Sequence, residues 1–203
     1  IDGLDNIKII LNVSNSSRDK YFDILHSLCV KHNIICDVIE DYLLAPIGTL
    51  NKSNGDPYTV FTPFKNNGLK YKIDKPSTYK PKNLIKTTKL DESNMIKYNV
   101  NPNILVHGGR KNALKLLKNI KKQENYNKTR NTLKLSTTQL SAYIKFGCVS
   151  IREVYSKILD NLGKKNDLLG QLFWREFYFY IAYYFPRVLN GENFNEKTNY
   201  LCL

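Results

Sequence analysis

The stretch that most constrains this chain is Gly170-Gln171-Leu172-Phe173-Trp174-Arg175-Glu176-Phe177, which holds its only tryptophan. It lies in a segment, about Asp167 to Tyr184, whose apolar spacing predicts one long helix. On that helix Gln171, Trp174, Arg175 and Tyr178 recur at i, i+3, i+4 and i+7, so an amide, an indole, a guanidinium and a phenol share a face. Trp174, Phe177, Tyr178, Ile181 and Phe185 also form a broad stripe of the kind that more often fills a core. Flat π surfaces mixed with fixed donors nevertheless suit a planar ligand such as a nucleobase or a flavin.

The rest of the second half also reads as helical. From Gly109 to Lys121, Ala113, Leu116, Leu117 and Ile120 form an apolar stripe with lysines outside it. Tyr126 and Arg130 then precede Ser136-Thr137-Thr138-Gln139-Leu140-Ser141, a hydroxyl cluster opening a short helix from Ala142 to Phe146. Hydroxyls beside free backbone N–H groups suit a phosphate, and plain helix capping explains the same residues. Gly147 ends that helix, and Ser150-Ile151-Arg152-Glu153 is a capping box that starts the next.

The first third is different in kind. Ile7 to Val13 and Ile34 to Ile39 are short apolar runs suited to strands. Between them Tyr21, Ile24, Leu25, Leu28 and Cys29 mark the inner face of a helix, so the order strand, helix, strand predicts a parallel pair in an α/β unit. No GxGxxG turn accompanies it, and a dinucleotide-binding role there would rest on fold analogy alone. Asn54-Gly55 signals a type I′ turn, Tyr58 to Phe64 an ordered crossing segment, and residues 65–102, rich in Lys, Asn, Pro and Ser, a linker.

Composition narrows the function classes. The chain has 203 residues, 42% of them hydrophobic, enough for a real core in one large or two small domains. Its 31 Lys+Arg against 18 Asp+Glu give a net charge of +13, which favours a polyanionic partner, although a Lys-rich chain also arises from biased coding. Four cysteines without a CxxC pair and three histidines without ligand spacing indicate no metal site. No run approaches the roughly 18 apolar residues that span a bilayer. The N-terminus carries no secretory pattern, so no membrane association and an intracellular location, cytoplasmic or nuclear, are expected. Residue 1 is Ile and the single methionine is Met95, which reads as a piece of a longer polypeptide.

The run from Leu135 to Ser150, opening with Leu135-Ser136-Thr137-Thr138-Gln139-Leu140-Ser141, followed by Gln171 to Tyr178, resembles the flavin-binding signature of DNA photolyases and cryptochromes. Asp41-Tyr42-Leu43-Leu44, Gly48-Thr49 and Tyr58 to Phe64 are similar to that family's passage out of its α/β antenna domain, and Gly108-Gly109-Arg110 to the entry into its helical domain. The resemblance implies an α/β N-terminal fragment, a partial Rossmann-like parallel sheet over residues 1–66, a linker over 67–102, and a partial, mainly α-helical FAD-binding domain over 103–203.

It further implies light-driven, FAD-dependent repair of pyrimidine photodimers in DNA, a carbon–carbon lyase of the deoxyribodipyrimidine or (6-4) type. The alternatives are a catalytically inactive remnant and a cryptochrome-like blue-light module. By motif position Tyr126, Thr137, Thr138, Leu140, Ser141 and Arg175 would hold FAD, while Gln171 and Trp174 would meet the lesion in damaged DNA. Gln171 stands where cyclobutane-dimer photolyases usually have Glu, which leans toward the (6-4) and animal cryptochrome branch. No catalytic residue falls within the chain. The resemblance leaves any antenna chromophore unassigned, and it implies that further helices, as from a second polypeptide, complete the active protein.

Overall fold

A computed structural model of the chain describes residues 8–12, 18–39, 42–77 and 101–194. The first elements are strand β1 (Lys8–Asn12), helix α1 (Arg18–Lys31) and strand β2 (Ile35–Ile39). The strands pair in parallel, in register from Lys8 with Ile35 to Asn12 with Ile39, as the strand-helix-strand order predicts. Two strands form a ribbon, however, and do not establish the Rossmann-like sheet expected here. Of the apolar positions Ile24, Leu25, Leu28 and Cys29 in α1, only Cys29 is buried among the described residues.

The chain is otherwise mainly helical. Helix α2 (Phe61–Gly68) is followed by α3 (Arg110–Lys118), a 3₁₀ turn (Ile120–Gln123), α4 (Tyr126–Thr129), α5 (Leu140–Lys145), α6 (Ile151–Leu162), α7 (Asp167–Tyr184) and a 3₁₀ turn (Pro186–Asn190). The core is built around α7. Apolar on most of its circumference, it buries Leu168, Leu169, Leu172, Phe173, Phe177, Tyr180 and Ile181, while Tyr178 and Tyr183 stay exposed on its outer side. Its N-terminus is fixed by Asn166, whose side-chain oxygen accepts the Leu168 N–H at 2.9 Å.

Helix α2 begins in the expected crossing segment and runs on through residues 65–68 of the stretch expected as linker. Its eight residues could not hold a helix in isolation. Packing against α7 decides the matter: Phe64 is fully buried with its ring 5.3 Å from that of Phe177 and 5.1 Å from that of Tyr180. Gly68 makes the approach possible, since a Cβ there would lie 2.5 Å from Cε1 of Phe173. Of the stretch expected as linker, residues 78–100 lie outside the described residues.

Two local expectations change. Asn54 does not take the left-handed conformation a type I′ turn requires; only Gly55 does, at φ 87°. The turn instead closes through Gly55 N–H donating to the Lys52 carbonyl and Lys52 N–H donating to that of Asp56. Helix α3 stops at Lys118 and continues as the tighter 3₁₀ turn that buries Ile120.

The capping box is present. Ser150 Oγ accepts the Arg152 N–H at 3.1 Å and Glu153 Oε2 accepts the Ser150 N–H at 3.0 Å. Glu153 also receives a two-pronged contact from Arg110, at 2.7 and 3.0 Å, which ties α3 to α6 and holds its carboxyl below the usual carboxylate range. Ser150→Ala is expected to lower stability by about 1 kcal/mol, read as an earlier urea midpoint at unchanged slope.

Candidate functional site

The hydroxyl cluster lies on the turn entering α5. Gln139, immediately before that helix, adopts a left-handed backbone at φ 55° that non-glycine residues rarely take. Thr138 Oγ1 accepts the Leu140 N–H at 3.3 Å, so part of the cluster does cap the helix. Helix α5 has only six residues, which makes its dipole small. Any anion at this turn would be held mainly by side chains.

Across from the turn stands the face of α7. Tyr126, Thr137, Thr138, Leu140, Ser141, Gln171 and Arg175, all expected from sequence, line one cavity of about 330 Å³. Ile144, Val154, Ile158, Leu168 and Leu172 give it apolar walls. The volume is at the low end of the roughly 300–1,000 Å³ found for small-molecule sites. Gln139 and Lys145 complete the lining. Lys145 was legible in principle, being i+4 from Ser141 and hence on its face. The turn also backs a smaller cavity of about 230 Å³ that Asn119, Lys122 and Ser136 help to line.

Arg175 is the most tightly held of these side chains. Its Nη1 donates to the Tyr42 carbonyl at 2.9 Å and to Glu176 Oε1 at 3.2 Å. The guanidinium carbon lies 4.3 Å from the centre of the Tyr42 ring and 4.8 Å from that of Phe179. Its Nη2 is buried without a hydrogen-bond partner, on a side chain that lines the cavity. An orphaned buried donor is costly. Hydroxyls for phosphates, a guanidinium for a polar ring edge and apolar walls for a planar body form a donor set that fits FAD.

Glu176, missed by sequence reasoning, is fully buried behind Arg175. Burial pushes its carboxyl up to about 7, while the Arg175 charge and the N–H groups of Leu44 and Ala45 pull the other way. Its Oε2 accepts the Leu44 N–H at 2.9 Å. A carboxylate inside an aromatic helix face is the signal that could have found it, since such a group is rarely buried without partners.

Trp174 has a different position. It does not line the cavity but stacks on Phe61 of α2, with ring centres 3.6 Å apart and planes 8° from parallel. Tyr178 lies 5.6 Å from the indole and is 63% exposed, extending the aromatic surface to solvent. Part of the expected stripe is therefore core and part is surface, as the two readings of its spacing allowed. Among the described residues no cluster of His, Cys, Asp and Glu could hold a metal, and no helix is long and apolar enough to cross a membrane.

No protein-family model matches the chain. It is 37% identical over 78 residues to a (6-4) DNA photolyase of Arabidopsis thaliana, a match covering 34% of this chain and 13% of the relative. To cryptochrome-1 of Mus musculus it is 41% identical over 64 residues, covering 28% and 11%. It superposes on a class III photolyase from Agrobacterium tumefaciens with a TM-score of 0.69 at 22% identity, covering 95% of this chain and 44% of that one. An archaeal photolyase from Sulfolobus tokodaii, whose structure holds two FAD molecules, gives a TM-score of 0.65 at 26% identity over 88% and 39% of the two chains. The chain thus spans under half the length of these proteins. On the matched sequences and the shared helical fold together, the chain is similar to DNA photolyases and cryptochromes.

Proposed function

We propose that this chain forms the flavin cradle of a photolyase-type protein that repairs pyrimidine photodimers in DNA. The observation that carries the reading is the convergence of the 137–141 hydroxyls with Gln171 and Arg175 on one cavity. When bound, FAD supplies the light-driven electron-transfer chemistry. The hydroxyls of Tyr126, Thr137, Thr138 and Ser141 would hold its phosphates and ribitol, Leu140 would add backbone contacts, and Arg175 would lie beside the ring. Lys145 offsets phosphate charge. Gln171 can both donate to and accept from a flipped base, but carries no charge and no titratable proton.

Trp174, braced by Phe61, offers a rigid aromatic edge to the lesion beside the cavity. The unstacking cost of a few kcal/mol is least for a damaged pair, which favours lesion over intact DNA. The excess of basic residues attracts the phosphate backbone. A cryptochrome-type blue-light sensor is the second reading, favoured by Gln171 and by the match to cryptochrome-1.

The test is to load the purified chain with FAD and illuminate it with ultraviolet-damaged oligonucleotides. Retained flavin with light-dependent restoration of undamaged bases supports repair. Flavin without restoration favours the sensor, and no flavin at all rejects both. Lesion binding should weaken with salt by about 0.9 in log affinity per log salt for each phosphate contact on duplex DNA. Trp174→Ala should cost about 1–3 kcal/mol of lesion preference, and an unchanged preference would remove Trp174 from its role.

A further inference from the structure

We infer that Glu176 is a positioning residue for the flavin site and that the segment Tyr42–Ala45 is a strap it latches, so that filling the cavity and docking the strap are coupled. The inference rests on the flavin reading above.

Arg175 is gripped from behind and open in front. Behind it are the Tyr42 carbonyl at 2.9 Å, the Tyr42 ring and Glu176 Oε1 at 3.2 Å. In front, the side chain lines the cavity. The strap supplies most of this grip although it lies more than a hundred residues away in sequence. Glu176 closes the circuit, because its other oxygen accepts the Leu44 N–H at 2.9 Å. One carboxylate therefore holds a guanidinium of α7 and a peptide N–H of the strap at once.

A carboxylate is a poor choice for filling this space. A buried ion pair contributes little net stability over a well-packed apolar side chain, so its worth here is geometric. Arg has many rotamers, and the one that keeps Nη1 on Tyr42 and Glu176 is the one that lines the cavity. A ligand that packs against Arg175 in the cavity favours the rotamer that the strap requires. By linkage, the strap must then favour the ligand by the same factor. The apolar residues Leu43, Leu44 and Ala45 are each at most 3% exposed, so the strap docks as part of the core once latched.

The experiment uses the full chain and FAD itself. Flavin fluorescence gives affinity, and amide hydrogen exchange over residues 42–45 reports the strap with and without FAD. In the wild type, FAD is expected to slow exchange at Leu44. Glu176→Gln should bind FAD at least about tenfold more weakly and lose that response, because a neutral amide no longer balances Arg175. If Glu176→Gln does not fold by circular dichroism, Tyr42→Leu takes its place. It keeps the carbonyl, removes the ring under the guanidinium, and should weaken both affinity and the strap response. Wild-type affinity in the variant, or strap exchange indifferent to FAD in the wild type, overturns the coupling while leaving the flavin reading intact. Failure of the wild type to bind FAD overturns both.

Discussion

Arg175→Met is expected to remove flavin binding and to destabilise the chain by about 3–5 kcal/mol, because it breaks a buried pair and leaves a carboxylate inside the core without its cation. The partners at stake are Glu176, fully buried, and the Tyr42 and Phe179 rings on which the guanidinium lies. Methionine preserves much of the aliphatic volume, so lost packing contributes little. The pH dependence carries a sign. Glu176 titrates at about 7 in the folded chain against an ordinary 4.5, so between those values the native state holds a proton that the unfolded chain has released. Stability then falls as pH rises through that window and levels off above it. Without Arg175 the carboxyl shifts further up, and the decline of the variant extends to higher pH. Denaturant titrations at pH 5, 7 and 8.5 should show the gap between variant and wild type widening with pH, and a gap that narrows would show that the Arg175 charge does not hold Glu176.

The second large effect lies in the core. Phe173→Ala should cost about 3–5 kcal/mol, since the ring is 1% exposed and its loss leaves a cavity between α2, α6 and α7. The neighbouring glycine makes this prediction specific. In the wild type Gly68→Ala places a Cβ 2.5 Å from Cε1 of Phe173 and must displace the ring or the helix. In the Phe173→Ala background that obstruction is gone. The two substitutions should therefore be strongly non-additive, with Gly68→Ala harmful alone and nearly neutral in the pair. Simple additivity in thermal or urea unfolding would mean that α2 does not approach α7 at this point.

How much of this was legible in sequence depends on the range of the physics involved. Helix α7 was readable to its ends, because its apolar spacing and flanking signals are local. The capping box at Ser150 and Glu153 is equally local and has the expected partners. Helix α2 was not readable, since what holds Phe61–Gly68 helical is contact with Phe173, Phe177 and Tyr180, more than a hundred residues away. In the site, the residue types on the 137–141 turn and on α7 pointed to a phosphate-bearing planar ligand. Spacing within each segment could not show that they face a shared cavity. Trp174 illustrates the limit: its place on the Gln171 face of the helix says nothing of Phe61, which covers it from another element. Glu176 and the strap were invisible for the same reason. Their partnership joins Leu44 to α7 through a hydrogen bond that no local pattern announces.

The central claim is that the 137–141 turn and the Gln171–Arg175 face bind one ligand together. Backbone amide resonances of both segments, followed as FAD is added to the chain, test it most directly. The account predicts that both sets shift along a single saturation curve with one dissociation constant. Shifts confined to one segment, or two curves with different midpoints, would contradict it.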